Sequence, residues 1–218
     1  GKLHLINPVK LWDSSIKVLN NVALVYGEPK PVQENAFVSD LTNLKDIICI
    51  DTPGHARHHM SFFYRIGVDS ILFAGEAGSN FYRRGLAYPG ENDGTFFLRP
   101  ATPKPFFLND ALSSVEKLKK LKTTIMCYSH FGYTCDAREL LGLAQKQFLL
   151  WQDIIQGYLL HEDDQSIDIN SIIQHLIEKD PWLVDLSSIP EDIRKREEGF
   201  IRSSVLGFID GILREKQQ

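Results

Sequence analysis

The sequence predicts an α/β protein with a helical layer at its carboxyl end, on three observations. Short apolar runs bounded by Gly, Asn and Asp recur over residues 46–51, 60–64 and 70–74, the mark of strands. A helical pattern over 109–122 leads into another strand-like run at 123–128, and strand, helix, strand is the α/β order. From residue 136 the apolar period lengthens, with Leu141, Ala144, Phe148, Trp151, Ile155 and Tyr158 stepping by three and four along one stripe.

Taken in order, residues 12–26 read as one helix, since Ile16, Leu19, Val22 and Val25 recur at helical spacing behind Asp13, Ser14 and Ser15. Pro29 and Pro31 break that pattern, and a strand-like run follows at 36–39. Residues 86–107 hold Pro89, Pro100, Pro103 and Pro105 and read as one long ordered loop. Asn109 or Asp110 is the expected cap of the helix after it. Beyond the long amphipathic helix, Glu162-Asp163-Asp164 reads as a solvated link, lacking the alternation of a calcium loop. A helix over 169–178 follows, and Pro190 with Glu191 and Asp192 opens another ending near 213. Residues 1–135 are thus expected to form the sandwich part and 136–218 a helical extension packed on it.

Apolar residues make up 43% of the 218, enough for a sizeable core. Lys and Arg number 24 against 28 Asp and Glu, a net charge of −4, so no nucleic-acid partner of the basic-stripe kind is expected. Uninterrupted apolar runs such as 47–50 and 71–74 fall far short of the roughly 18 residues of a membrane span, and no membrane partner is expected. Three cysteines, Cys49, Cys127 and Cys135, with no C-x-x-C spacing argue against a disulfide framework and for a reducing, cytoplasmic setting. The chain opens on Gly1 rather than Met, consistent with a processed, trimmed or partial product.

Three expected strands each end in a metal-ligating side chain. Asp51-Thr52-Pro53-Gly54-His55 closes the first, Leu72-Phe73-Ala74-Gly75-Glu76 the second, and Tyr128-Ser129-His130 the third. A lone histidine is more often structural than ligating, and Thr-Pro-Gly makes a turn by itself. Strand ends of an α/β sheet, however, lie about 5 Å apart and can converge side chains from distant positions on one ion.

Thr52-Pro53-Gly54-His55 with His59-x-Ser61-Phe62, then Gly75-Glu76-Ala77, then Ser129-His130-Phe131-Gly132 resemble, in order, the third, fourth and fifth metal-binding motifs of the metallo-β-lactamase superfamily. The segment from Leu98 to Phe106, the helix after it and the helical tail resemble a prokaryotic hydrolase branch, so the similarity covers most of the chain. The resemblance implies an αβ/βα sandwich, incomplete at its amino end in these residues, whose complete form holds two metal ions: zinc, or in some members iron or manganese. It implies His55 on the first metal, His130 on the second, and the carboxylate of residue 76 between them. It also implies a metal-bound hydroxide that attacks an ester, thioester, lactone or similar bond of a small-molecule substrate.

Two departures accompany the resemblance. Glu76 stands where the family has aspartate, its extra methylene carrying the carboxylate about 1.5 Å further. The family's His-x-His-x-Asp-His motif is absent, and His4 stands alone. Residues 1–8 resemble the segment that follows that motif, so an amino-terminal half outside these 218 residues, or a shortened relative, is expected. With the residues in hand, metal binding is expected to be weak, at about two ligands per ion against the three of a catalytic zinc. A bare apolar sheet face, and with it a homodimer or low solubility, is the expected consequence.

Strand alternation sets neighbouring side chains on opposite faces, so His58 and His59 cannot both aim at the ion of His55, and His59 is read as a packing or supporting residue. Cys135 reads as a plain thiol, Tyr82, Arg83 and Arg84 as a solvated loop that could meet an acidic substrate, and the Phe148, Trp151 and Ile155 stripe as core or dimer seam. No catalytic residue is assigned. The leading expectation is a metal-dependent hydrolase, against two alternatives: iron-dependent oxygen or sulfur chemistry, and a non-catalytic domain that keeps the fold as a scaffold.

Overall fold

The computed structural model describes residues 1–19, 21–37, 46–83, 96–130, 132–161, 167–183, 186 and 189–216. The chain forms two compact units, Gly1–Lys45 and Asp46–Gln218. In the first, helices α1 (Lys2–Ile6), α2 (Val9–Leu19) and α3 (Asn21–Tyr26) precede a single 3₁₀ turn at Glu34–Ala36. Helices α2 and α3 lie on either side of Asn20, which is outside the described residues, within the pattern read as one helix; the strand expected at 36–39 starts in the 3₁₀ turn, its last two residues also outside the described ones.

The second unit is built on a five-stranded sheet, β1 (Ile47–Asp51), β2 (Met60–Ile66), β3 (Asp69–Gly75), β6 (Ile125–Tyr128) and β7 (Tyr133–Thr134), ordered β1-β2-β3-β6-β7. The β1/β2 and β2/β3 pairs are antiparallel and β3/β6 is parallel. A parallel pair needs a crossover, and here it runs through a hairpin of β4 (Asn80–Arg83) and β5 (Phe96–Arg99) and then helix α4 (Leu108–Lys119). The loop expected over 86–107 thus contains strand β5, because Phe96, Phe97 and Leu98 pair with β4 ahead of the first proline that would stop them. Tyr82 and Arg83 lie in β4 rather than in a solvated loop, and Arg84 and the acidic link at 162–164 fall outside the described residues. Helix α4 is entered at Phe107, which makes no side-chain cap, in place of the Asn109 or Asp110 expected.

Register separates the two faces of the sheet. Phe63, Leu72, Met126 and Thr134 are cross-strand neighbours, all buried, and belong to the side that packs on α4 and on α5 (Ala137–His161) through Val115, Leu118, Leu140 and Leu141. The alternate row, Cys49, Phe62, Phe73, Cys127 and Tyr133, occupies the other face, where Phe62 is 41%, Phe73 45% and Tyr133 52% exposed. That face is apolar and half bare.

Helices α6 (Ile169–Lys179) and α7 (Glu191–Glu215) complete the layer. The stripe through Phe148, Trp151 and Ile155 is core, each residue nearly fully buried. Two buried polar ties fasten this layer to β5. Asp180 accepts Gln147 Nε2 at 2.8 Å and Trp151 Nε1 at 2.7 Å, while Gln147 Nε2 also reaches Leu98 O at 2.9 Å. Glu197 on α7 accepts Arg99 Nε at 3.0 Å and the Tyr82 hydroxyl at 2.7 Å.

Candidate metal centre

The loop after β1 is held by hydrogen bonds at both its start and its middle. Thr52 N–H donates to His59 O at 3.0 Å, and Ser114 on α4 donates its hydroxyl to Pro53 O at 2.7 Å. His55, at the turn of this loop, has Nδ1 2.9 Å from Ala101 O. A carbonyl only accepts, so Nδ1 carries the proton and Nε2 presents its lone pair.

A run of hydrogen bonds fixes His59 the same way. Ala74 O accepts the Ser61 hydroxyl at 3.0 Å, so Ser61 Oγ, 2.8 Å from Thr52 Oγ1, takes its proton from Thr52. Thr52 Oγ1 and Thr52 O stand 2.9 and 3.0 Å from His59 Nδ1, which donates to them. In the neutral ring Nε2 is then a bare lone pair, and it accepts the Glu76 N–H at 3.2 Å.

Glu76 follows a bulge. The register of β3 on β6 slips between Phe73 and Gly75, and Gly75 takes φ +61°, the left-handed region open to glycine. The strand end turns there, and the Glu76 carboxylate comes to lie between two imidazoles, Oε2 3.3 Å from His59 Nε2 and Oε1 3.5 Å from His130 Nε2. Burial alone would raise its pKa, yet His130, His59, His55 and the Ser129 hydroxyl outweigh burial and hold the carboxyl well below the usual carboxylate range.

These separations bear on whether an ion fits. Charge-assisted N–H···O bonds run about 2.7–2.9 Å. Two ligands each about 2.0–2.1 Å from a tetrahedral zinc stand about 3.3–3.4 Å apart. The gaps at Glu76 have the length of a tetrahedral edge. Imidazole nitrogens and a carboxylate are also the donor types zinc takes. Among the described residues, however, no three His, Cys, Asp or Glu side chains converge tightly enough to close a metal site by themselves.

Of the residues singled out in the sequence, His55 and Glu76 line one small recess with Pro53, Ala77, Ala101 and Thr102. His130 meets Glu76 from the β6 side and is the most exposed of the set, at 43% for its side chain. Residues 52–59 form a turn rather than a strand, so parity does not set the direction of His59; its ring lies edge to face with His55, centroids 6.2 Å apart, and supports Glu76 by accepting its backbone N–H. His58 is exposed, and Cys135 is an exposed free thiol.

The chain is a metallo-β-lactamase-fold protein. A metallo-beta-lactamase fold-containing protein from Sulfurisphaera tokodaii, ST1585, is 29% identical over 130 residues, which are 56% of this chain and 44% of that relative. The crystal structure of an archaeal metallo-beta-lactamase superfamily protein, ST1585 from Sulfolobus tokodaii, superposes with a TM-score of 0.57 at 20% identity, covering 96% of this chain and 67% of that one. The metallo-beta-lactamase family protein TTHA1429 from Thermus thermophilus gives 0.50 at 16% identity, covering 99% of this chain and 63% of that one. Together these likenesses show the metallo-β-lactamase fold. The chain spans less than half the length of the curated relative it matches. No protein-family model matches the sequence. Among the described residues, no helix is long and apolar enough to cross a membrane.

Proposed function

We propose that this chain contributes part of the metal centre of a metal-dependent hydrolase acting on an ester, thioester, lactone or similar bond in a small molecule. The observation that carries the reading is the Glu76 carboxylate, which stands 3.5 Å from His130 Nε2 and lines one small recess with His55. His55, Glu76 and His130 are the proposed ligands and zinc the proposed metal. A divalent cation held there supplies an acidified water at neutral pH and offsets charge building on the substrate oxygen. The chain's own part is orientation. Ala101 O holds His55 in the ligating tautomer, His59 pins the Glu76 backbone, and the Gly75 bulge aims the carboxylate. We place the protein in the cytosol, where three unpaired thiols persist.

Elemental analysis of the full-length protein tests the assignment. Wild type is expected to carry metal, and replacing both His55 and His130 with alanine is expected to remove it; undiminished stoichiometry in the double variant overturns the ligand set. A second reading, a scaffold that keeps the fold without catalysis, is favoured by Glu76 standing where the superfamily has aspartate. Metal-loaded protein that cleaves none of a panel of esters, thioesters and lactones supports it.

A further inference from the structure

The carbonyl that holds His55 belongs to a strap, residues 99–103, between β5 and α4, and this strap is fastened to α7 at three points. Arg99 meets Glu197. Ser204, 2% exposed, donates its hydroxyl to Pro100 O at 2.7 Å and accepts Thr102 N–H at 3.4 Å, while the Thr102 hydroxyl donates to Ser204 O at 3.2 Å. Pro100 O also takes Arg99 Nη1 at 3.3 Å. At the third point, Thr102 O fills the place a side chain would take: a β-carbon on Gly207 would lie 1.7 Å from it. Both neighbours of Ala101 are therefore gripped by one stretch of α7, and Ala101 O itself accepts His55 Nδ1–H.

We infer that Ser204 and Gly207 are positioning residues for metal binding, acting on His55 through the strap. The inference rests on the reading of His55 as a ligand. An imidazole ligates through one nitrogen only when the proton sits on the other, and its direction is set by the partner of that proton. Neither α7 residue lines the recess, so their effect reaches it through the strap, of which Ala101 and Thr102 line it. If the Ser204 hydroxyl is lost, Pro100 O and Thr102 N–H lose their common partner and the carbonyl between them loses its aim. A β-carbon at 207 displaces Thr102 directly. In both cases Nδ1 of His55 loses its acceptor, the proton redistributes to Nε2, and the lone pair offered to the ion disappears.

The test uses the full chain with Ser204→Ala and Gly207→Ala, and reads the ¹⁵N spectrum of the histidine rings without metal, above the ordinary imidazole range so that the rings are neutral. The His55 signals are assigned by their loss in His55→Ala. Zinc affinity is measured in parallel by competition with a chromophoric chelator. Wild type is expected to show His55 protonated at Nδ1. Ser204→Ala is expected to shift that population toward Nε2–H and to weaken zinc binding by roughly 10-fold or more, the range for lost partners of metal ligands. Ser204→Thr, which keeps a hydroxyl, is expected to recover part of both. A merely structural role lowers the melting temperature without moving the tautomer, and that result in Ser204→Ala overturns the inference even if Gly207→Ala fails to fold. A shifted tautomer together with equal zinc binding by wild type and His55→Ala supports the grip of α7 on His55 and overturns the ligand reading instead.

Discussion

Gly75 and His59 occupy one another's space: a β-carbon on Gly75 would lie 2.4 Å from His59 Nε2. The ring cannot swing away without giving up its bonds to Thr52, and residue 75 also sits at φ +61°. Gly75→Ala is therefore expected to cost about 1–2 kcal/mol for the left-handed backbone alone and more for the displaced ring. Urea unfolding of Gly75→Ala in wild-type and His59→Ala backgrounds separates the two contributions. The second background should retain only the backbone cost, and equal losses in both would sink the claimed steric coupling.

The carboxylate of Glu76 gives a second expectation. Glu76→Gln keeps the shape and removes the charge between His59 and His130, so metal stoichiometry should fall while the fold is kept. Glu76→Asp shortens the reach by about 1.5 Å and should weaken zinc binding, because the carboxylate then draws back from both rings. Zinc binding by Glu76→Asp as tight as wild type would show that the loop, rather than the side-chain length, sets the site.

Asp180 gives a pH dependence. Its burial beneath α5 raises its pKa, against the pull of Trp151, the Trp182 backbone and Gln147. A carboxyl that holds its proton more tightly when folded stabilises most at low pH. That contribution is lost as pH rises from the unfolded aspartate value through the folded one, with a slope of at most about 1.4 kcal/mol per pH unit. The stability of wild type relative to Asp180→Asn should decline over that window. A difference independent of pH would mean that its pKa is the same folded and unfolded.

The Arg99–Glu197 pair is almost wholly buried, the side chains 6% and 3% exposed. Removing one member leaves the other charged and dry, so Glu197→Ala is expected to cost about 3–5 kcal/mol. Replacing both by apolar residues should cost much less. The comparison is a double-mutant cycle read by denaturant melts, and additive losses would show that the pair is not coupled.

The half-bare sheet face predicts a contrast between adjacent residues. Leu72→Ala, on the covered side, should cost about 2–5 kcal/mol. Phe73→Ser, on the other side and 45% exposed, should cost much less and reduce self-association in sedimentation velocity. Unchanged sedimentation would leave the face without a role in pairing two copies.

The local code was legible wherever one element decides its own fate. Residues 46–51, 60–64 and 70–74 are short apolar runs, rich in isoleucine and aromatic residues and bounded by turn formers, and β1, β2 and β3 lie there. The long helices α5, α6 and α7 follow apolar stripes that need no partner to be seen. Strand β5 was hidden because Pro89 and Pro100 flank a run of only four residues, and its pairing with β4 shows only in the fold.

Sequence alone named the candidates for chemistry, His55, Glu76 and His130, from the residues that flank each of them. Only the tertiary structure decided what state they are in. The tautomer of His55 is set by a carbonyl 46 residues away, and that carbonyl is steadied by a serine on a helix 104 residues beyond Pro100. His59 faces Glu76 because a bulge turns the end of β3, and a bulge arises when two strands pair out of step. A proton's place on an imidazole depends on which acceptor reaches it, and acceptors arrive from the fold.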